Sequence, residues 1–236
     1  MNEMAVGRIA TQKRLLILEL VGPAGAGKTT LLRTLSRRNP AIQIGSEIEL
    51  QKLKYAPVFL HNFISLLPIF LRQLWHGQSF TWDEVKYLVY LKGWSKVLLR
   101  EAGSGNAAIL LDHGPVFKLA TLSEFGPEKL KADSFETWWD NMFKQWASTL
   151  NMVIWLDAPD TVLENRINSR DQRHLVKGKT ESEVVHFLAR YRASYEETLS
   201  KLKTHGGPLL LQFDTSQTSI EKVADEILFA INTASQ

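Results

Sequence analysis

Apolar positions along this chain fall into two recurring patterns. Short, largely apolar runs occur at Leu15 to Val21, Ala107 to Leu111 and Met152 to Leu156, while Pro208 to Phe213 reads as the last strand. Such runs suit strands that are covered on both faces, as in a parallel sheet. Ala41 to Ser46 is a shorter strand candidate. Elsewhere apolar residues return at helical spacing, over Thr29 to Arg38, through most of Lys52 to Gly103, and over Ser134 to Thr149. Local punctuation agrees with those boundaries. Thr81 precedes a helix predicted from Trp82, Ala158-Pro159 opens another, and Ser219 precedes the last one. Thr180 with Glu183 three residues on forms a capping box for a helix running to about Lys203. Strands alternating with helices predict right-handed βαβ units on a parallel sheet of about five strands. The expected fold class is therefore α/β, a three-layer arrangement with helices on both faces of the sheet. No repeat, low-complexity tract or long linker divides the chain, so residues 1–236 read as a single domain.

Composition narrows the setting. Hydrophobic content of 44% and charged content of 22% are those of a globular chain and argue against disorder. The absence of cysteine removes disulfides and thiolate metal sites and fits a reducing compartment, so a cytoplasmic location is expected. Leu15 to Val21 follows Arg8, Lys13 and Arg14, yet it is short, contains Glu19 and leads into a glycine loop. It does not read as a signal peptide. Val58 to Trp75 is the one stretch that hints at a membrane, but His61, Asn62, Pro68 and Arg72 interrupt it. A largely buried helix or helical hairpin is expected there, with a homodimer face as a second use. A formal net charge of +3 is too small a basic excess for a general nucleic-acid binder. The expected partner is a small molecule, with no nucleic acid and no membrane.

One motif carries specific chemistry. Gly22-Pro23-Ala24-Gly25-Ala26-Gly27-Lys28-Thr29 meets the Walker A pattern and lies between a predicted strand and a predicted helix, as that motif requires. Its glycines let backbone N–H groups approach phosphate oxygens, and the helix N-terminus adds partial positive charge. The expected nucleotide-binding residues are Gly22, Ala24, Gly25, Ala26, Gly27, Lys28, Thr29 and Thr30, with ATP and Mg²⁺ as cofactors. Lys28 would reach the β- and γ-phosphates, and the Thr29 hydroxyl and Asp112 would serve the metal. The fold expectation becomes a P-loop NTPase with a helical acceptor-side region at about 52–103 and a lid at about 166–180.

Elimination then narrows the class. No Asn-Lys-x-Asp guanine reader occurs, and Asp112 is followed by His113-Gly114, where motor ATPases place a water-activating Glu. Transfer to an acceptor other than water remains. The loop has no arginine, but Arg166, Arg170 and Arg173 are spaced four and three apart and share a face if one helix carries all three. They are the expected catalytic cations alongside Lys28. Glu47 follows the second strand at the edge where ligands bind, and is the expected base for an acceptor hydroxyl, with Glu49 as its rival. His113 reads equally as an acceptor contact or a packed loop residue. Asp157 reads as a strand-end turn residue. Trp75, Trp82, Trp94, Trp138 and Trp139 read first as packing, and second as ring-stacking positions.

GPAGAGKTT, IWLDAPDTVLENRINSR, the pair Tyr191 and Tyr195, and FDTSQTSIEKVADEI together resemble the thymidylate kinase-like and deoxynucleoside kinase-like group of P-loop kinases. The resemblance covers most of the chain. It implies an ATP-dependent kinase, lid arginines following the Asp-x-Pro strand end, and a loop after the last strand lying against the adenine. Two positions depart from the group's pattern. Asp112-His113 replaces the usual Asp-Arg or Glu-Arg-Ser, and Ser46-Glu47-Ile48-Glu49 keeps a carboxylate where Arg-Glu-Pro is usual. The expected acceptor is a nucleoside or nucleotide. A sugar or antibiotic hydroxyl is the alternative, and a nucleotide-sensing protein without transfer is a third reading.

Overall fold

The computed structural model describes residues 15–45, 55–75, 79–101, 107–169 and 176–234. Five strands, β1 (Leu16–Val21), β2 (Ile42–Gly45), β3 (Ala108–Asp112), β4 (Met152–Asp157) and β5 (Leu209–Asp214), form one parallel sheet in the order β2-β3-β1-β4-β5. The helices are α1 (Lys28–Arg38), α2 (Ala56–Trp75), α3 (Trp82–Glu101), α4 (Pro115–Phe125), α5 (Glu136–Thr149), α6 (Asp160–Asn168), α7 (Glu181–Thr204) and α8 (Ile220–Ala234). The fold class is the one expected, and β1 occupies its centre.

Period-two alternation divides the sheet between two cores. Leu16, Leu18 and Leu20 of β1 join Ala108, Leu110, Ile154 and Leu156 in packing against α1, α6 and α8. Ile17 and Val21 join Ile109, Leu111, Val153 and Trp155 in packing against α3, α4 and α5. Glu19 therefore belongs to this second face, between Ile17 and Val21. Helix α7 serves both cores, with Val184 and Leu188 on one side and Tyr195 and Leu202 on the other.

The predicted caps are present. Thr81 and Glu84 bond reciprocally at the start of α3, Thr180 and Glu183 do so at α7, and Ser219 Oγ accepts from the Lys222 amide at α8. Two expectations need correction, and one helix lies outside them. Helix α4 has no helical reading in the sequence, because its buried face mixes Lys118 and Ala120 with Val116, Leu119 and Leu122. The helix predicted from Ser134 starts at Glu136, after a 3-10 turn at Asp133–Phe135. Helix α2 is not largely buried. Asn62 and Gln73 face inward with Leu66 and Phe70, while Leu60, Ile64, Leu71 and Leu74 are each more than half exposed. This helix is long and apolar enough to cross a membrane by length and composition, the one such helix among the described residues.

The α3–α5 contact anchors the helical layer over the second face. Trp146 of α5 is fully buried, stacks on Tyr90 at 5.8 Å and donates its indole N–H to the Leu91 carbonyl at 2.9 Å. Replacing it with alanine opens a cavity and removes one of the two side-chain donors to that carbonyl, the other being Gln145 Nε2 at 2.8 Å. Trp146→Ala is expected to lower unfolding free energy by about 3–5 kcal/mol in urea titrations.

Candidate functional site

The site lies where the central strands end. In β1 the chain has no room to turn gradually, because β3 and β4 flank it on both sides. It leaves through Gly22, whose φ of 136° lies outside the range of ordinary residues. A Cβ there would sit 2.0 Å from the Leu156 carbonyl oxygen, so only glycine lets the loop lie this close to β4. Gly25 repeats the argument against α6, with φ 86° and a Cβ position 2.9 Å from the Leu163 carbonyl oxygen. The loop ends at Gly27, which begins α1 without a side-chain cap, and no acidic residue occupies the first turn. That N-terminus is suited to an anion.

Gly22, Ala24, Gly25, Ala26 and Gly27 form the turn, and Lys28, Thr29 and Thr30 begin α1. Lys28 Nζ donates to the Gly22 carbonyl at 2.6 Å and the Pro23 carbonyl at 2.9 Å, so its ammonium curls over the loop mouth. Thr29 and Thr30 are exposed there. Asp112 ends β3 level with Leu20 of β1, two residues before Gly22. Its Oδ1 is buried and has no hydrogen-bond partner. A buried carboxylate oxygen without a donor is costly, and a magnesium ion or its water is a chemically suitable partner. The donor set of Asp112 and the Thr29 hydroxyl therefore fits the metal that the motif implies.

Beneath this edge lies a group the sequence reading passed over. Glu19 is fully buried, and its carboxylate accepts the Val116 amide at 2.7 Å and the Phe117 amide at 2.9 Å. Burial pushes its pKa up to about 7, against the opposing pull of those two amides and the Lys118 charge; Asp112 adds a smaller upward push. Lys118 is itself buried, donates to the His113 carbonyl, and places its ammonium 4.3 Å from the Tyr90 ring centroid. His113 adopts a φ of 54°, uncommon without glycine, and its ring lies 4.5 Å from that of Phe117. Tyr195, pushed well above its ordinary pKa by burial, packs at 6.0 Å on Trp155 and shares a hydrogen bond with the Tyr191 hydroxyl at 3.4 Å. The one signal available in the sequence was a carboxylate inside an otherwise apolar strand.

Arg166 lies beside the loop, in α6. Its guanidinium donates to the Gly25 carbonyl at 3.2 Å, the Thr215 hydroxyl at 2.9 Å and the Thr215 carbonyl at 3.0 Å. It thereby ties the phosphate loop to the β5–α8 loop, which the resemblance expects beside the adenine. Helix α6 ends at Asn168 with Ser169 as its cap, so one continuous helix does not carry all three arginines. Arg170 and Arg173 lie outside the described residues, as do Glu47 and Glu49. Asp157 is the last residue of β4, paired with Asp214 of β5, and is not itself in a turn. It binds its own neighbour's amide at Ala158 and, together with Asp160, holds Arg192 of α7.

Glu19 makes stability depend on pH. Its folded-state pKa of about 7 lies above the ordinary 4.5, so the folded protein holds a proton that the unfolded chain releases between those values. The contribution is fully present below pH 4.5 and is lost as pH rises through about 7. It amounts to on the order of 3 kcal/mol. Denaturant titrations at pH 5 and pH 8 in EDTA are expected to show this fall, and Glu19→Gln is expected to flatten it.

The comparisons with known proteins agree with this geometry. A family model described as an AAA domain matches residues 17–198. No curated protein sequence matches. Among solved structures, thymidylate kinase from Candida albicans superposes with a TM-score of 0.56 at 14% identity, over 95% of each chain. Deoxyadenosine kinase from M. mycoides, solved with dCMP and dCDP, gives 0.51 at 16% identity over 92% of this chain and 100% of that one. The YorR protein from Bacillus subtilis, in complex with phosphorylated GDP, gives 0.51 at 15% identity over 92% and 95%. The chain belongs to the AAA domain family of P-loop proteins, with the fold of the P-loop nucleoside and nucleotide kinases.

Proposed function

We propose that this protein is an ATP-dependent kinase that transfers the γ-phosphoryl group to a small-molecule acceptor, with a nucleoside or nucleotide first in rank. The observation that carries the reading is the juxtaposition of the Gly22–Thr29 loop with the unpartnered buried oxygen of Asp112. A phosphate cradle and a carboxylate that needs a cation stand side by side at the end of the central strands. Magnesium, when bound, neutralises phosphate charge. Lys28 offers its ammonium to the β- and γ-phosphates, and α1 offers its first-turn amides. The acceptor oxygen bonds to the γ-phosphorus while the bond from that phosphorus to its β-bridging oxygen breaks, leaving ADP. The acceptor proton passes to a carboxylate, for which Glu47 after β2 is first and Glu49 second.

Arg170 and Arg173, on the segment between α6 and α7, are proposed to supply the remaining positive charge around the equatorial oxygens. Arg166 has its donors on Gly25 and Thr215, and its part is to hold the loop. A neutral hydroxyl is favoured over a monophosphate, because His113 occupies the place of the arginine that related kinases use at this edge. A cytoplasmic location is part of the same proposal.

ADP release is the measurement, with panels of nucleosides, nucleoside monophosphates, sugars and hydroxyl-bearing antibiotics. Stimulation by one class identifies the acceptor. ATP binding without stimulation by any of them would sink the kinase reading in favour of nucleotide sensing. Lys28→Ala is expected to lower transfer at least a hundredfold. Arg170→Ala and Arg173→Ala are expected to lower turnover about tenfold or more while ATP affinity stays within about twofold. Wild-type turnover in both variants would remove the lid assignment.

A further inference from the structure

We infer that Glu19 is a positioning residue of the proposed magnesium–nucleotide site, acting with Lys118 to set the Asp112-His113-Gly114 turn from beneath. The inference rests on the functional reading above and adds residues to it that lie in neither the phosphate loop nor the lid.

Helix α4 begins at Pro115 with Gly114 as its N-cap, and it has neither a side-chain cap nor an acidic residue in its first turn. A helix normally satisfies its first amides from a nearby Ser, Thr, Asp or Asn. Here the acceptor comes from β1, 97 residues earlier, and one carboxylate takes two successive amides. The cap position is shaped around it, since a Cβ on Gly114 would lie 2.7 Å from the Glu19 carboxyl carbon. An N-cap side chain and Glu19 exclude each other.

Lys118, one turn into α4, completes the arrangement. Its ammonium holds the His113 carbonyl and rests on the Tyr90 ring, with Tyr87 at 5.4 Å. His113 is thereby kept at a positive φ, directly after Asp112. The His113 carbonyl and the Val116 and Phe117 amides are thus held by buried groups on either side of Gly114 and Pro115, directly after the end of β3. A buried carboxylate and a buried ammonium are poor devices for stability alone, since an apolar core of the same volume is commonly as stable or more so. They are effective devices for aiming a neighbour, because hydrogen bonds specify direction as well as distance. The oxygen that they aim is Asp112 Oδ1, which has no protein donor.

The test measures ATP affinity with a fluorescent ATP analogue in EDTA and in saturating Mg²⁺. Mn²⁺ binding to the protein–ATP complex is followed in parallel by electron paramagnetic resonance. Four proteins are compared, namely wild type, Glu19→Gln, Lys118→Met and Leu202→Ala. Leu202 is fully buried in the same core at the far end of α7 and controls for loss of stability alone. Wild type is expected to bind the analogue more tightly with the metal than without. Glu19→Gln keeps one acceptor oxygen and turns an N–H toward an N–H. It is expected to weaken Mn²⁺ binding at least fivefold and to leave affinity in EDTA within twofold. Lys118→Met is expected to act in the same direction, and Leu202→Ala to change neither quantity beyond twofold. Metal binding within twofold of wild type in Glu19→Gln would overturn the positioning role, and Lys118→Met decides it if Glu19→Gln does not fold. An equal loss in Leu202→Ala would also overturn it. A wild-type protein whose nucleotide affinity ignores the metal overturns the functional reading itself, which separates that failure from the narrower one.

Discussion

Burial of β1 on both faces and both edges is the constraint on which the site depends. A strand between two hydrogen-bonded neighbours and two helical layers has no access to water. Whatever leaves its end must turn sharply, and whatever is polar within it must find a partner inside the protein. The first requirement produces the glycine loop pressed against β4. The second produces the carboxylate that reaches α4. The phosphate cradle and the turn carrying Asp112 are thus both referred to the same six-residue strand. The β1–β3 register brings the two strand ends level, and the contacts of Glu19 and Lys118 hold the turn that follows Asp112.

The two cores do different work around that strand. On the face of α1, α6 and α8 the packing is almost wholly aliphatic, and the polar contacts gather at the rim, where Arg166 joins the phosphate loop to Thr215. On the face of α3, α4 and α5 the packing is rich in aromatic rings, and charges lie inside it. Glu19 and Lys118 are surrounded there by Tyr87, Tyr90, Phe117 and Tyr195. Aromatic rings tolerate an ammonium over their faces, so this core accommodates charge that an aliphatic one would not.

Helix α2 follows a different logic. Its sequence is apolar enough to suggest a core helix, yet the fold turns Asn62 and Gln73 inward and leaves a stripe of leucines outside. Asn62 finds the Val58 carbonyl at 2.8 Å within its own helix, which removes most of the cost of its burial. Hydrophobicity summed along a segment does not say which side a neighbouring helix will cover. Here α3 packs against the face that carries Leu66 and Phe70.

Much was legible in the residues because much of the physics is local. Largely apolar runs, the capping pairs at Thr81 and Thr180, and the glycine spacing from Gly22 to Gly27 each express a short-range rule, and the parallel sheet follows from their alternation. Helix α4 was not, since its inward face carries a lysine and its cap comes from another strand. Nor was the place of Arg166, whose three acceptors belong to loops 49 and 141 residues away in the chain. Glu19 stands between these cases. The sequence alone marks it as a charge in a strand that admits none, and only the tertiary structure supplies the amides of Val116 and Phe117 that make it tolerable. Local rules determined the elements and the phosphate loop. Contacts between distant segments decided which buried charges that loop has for neighbours.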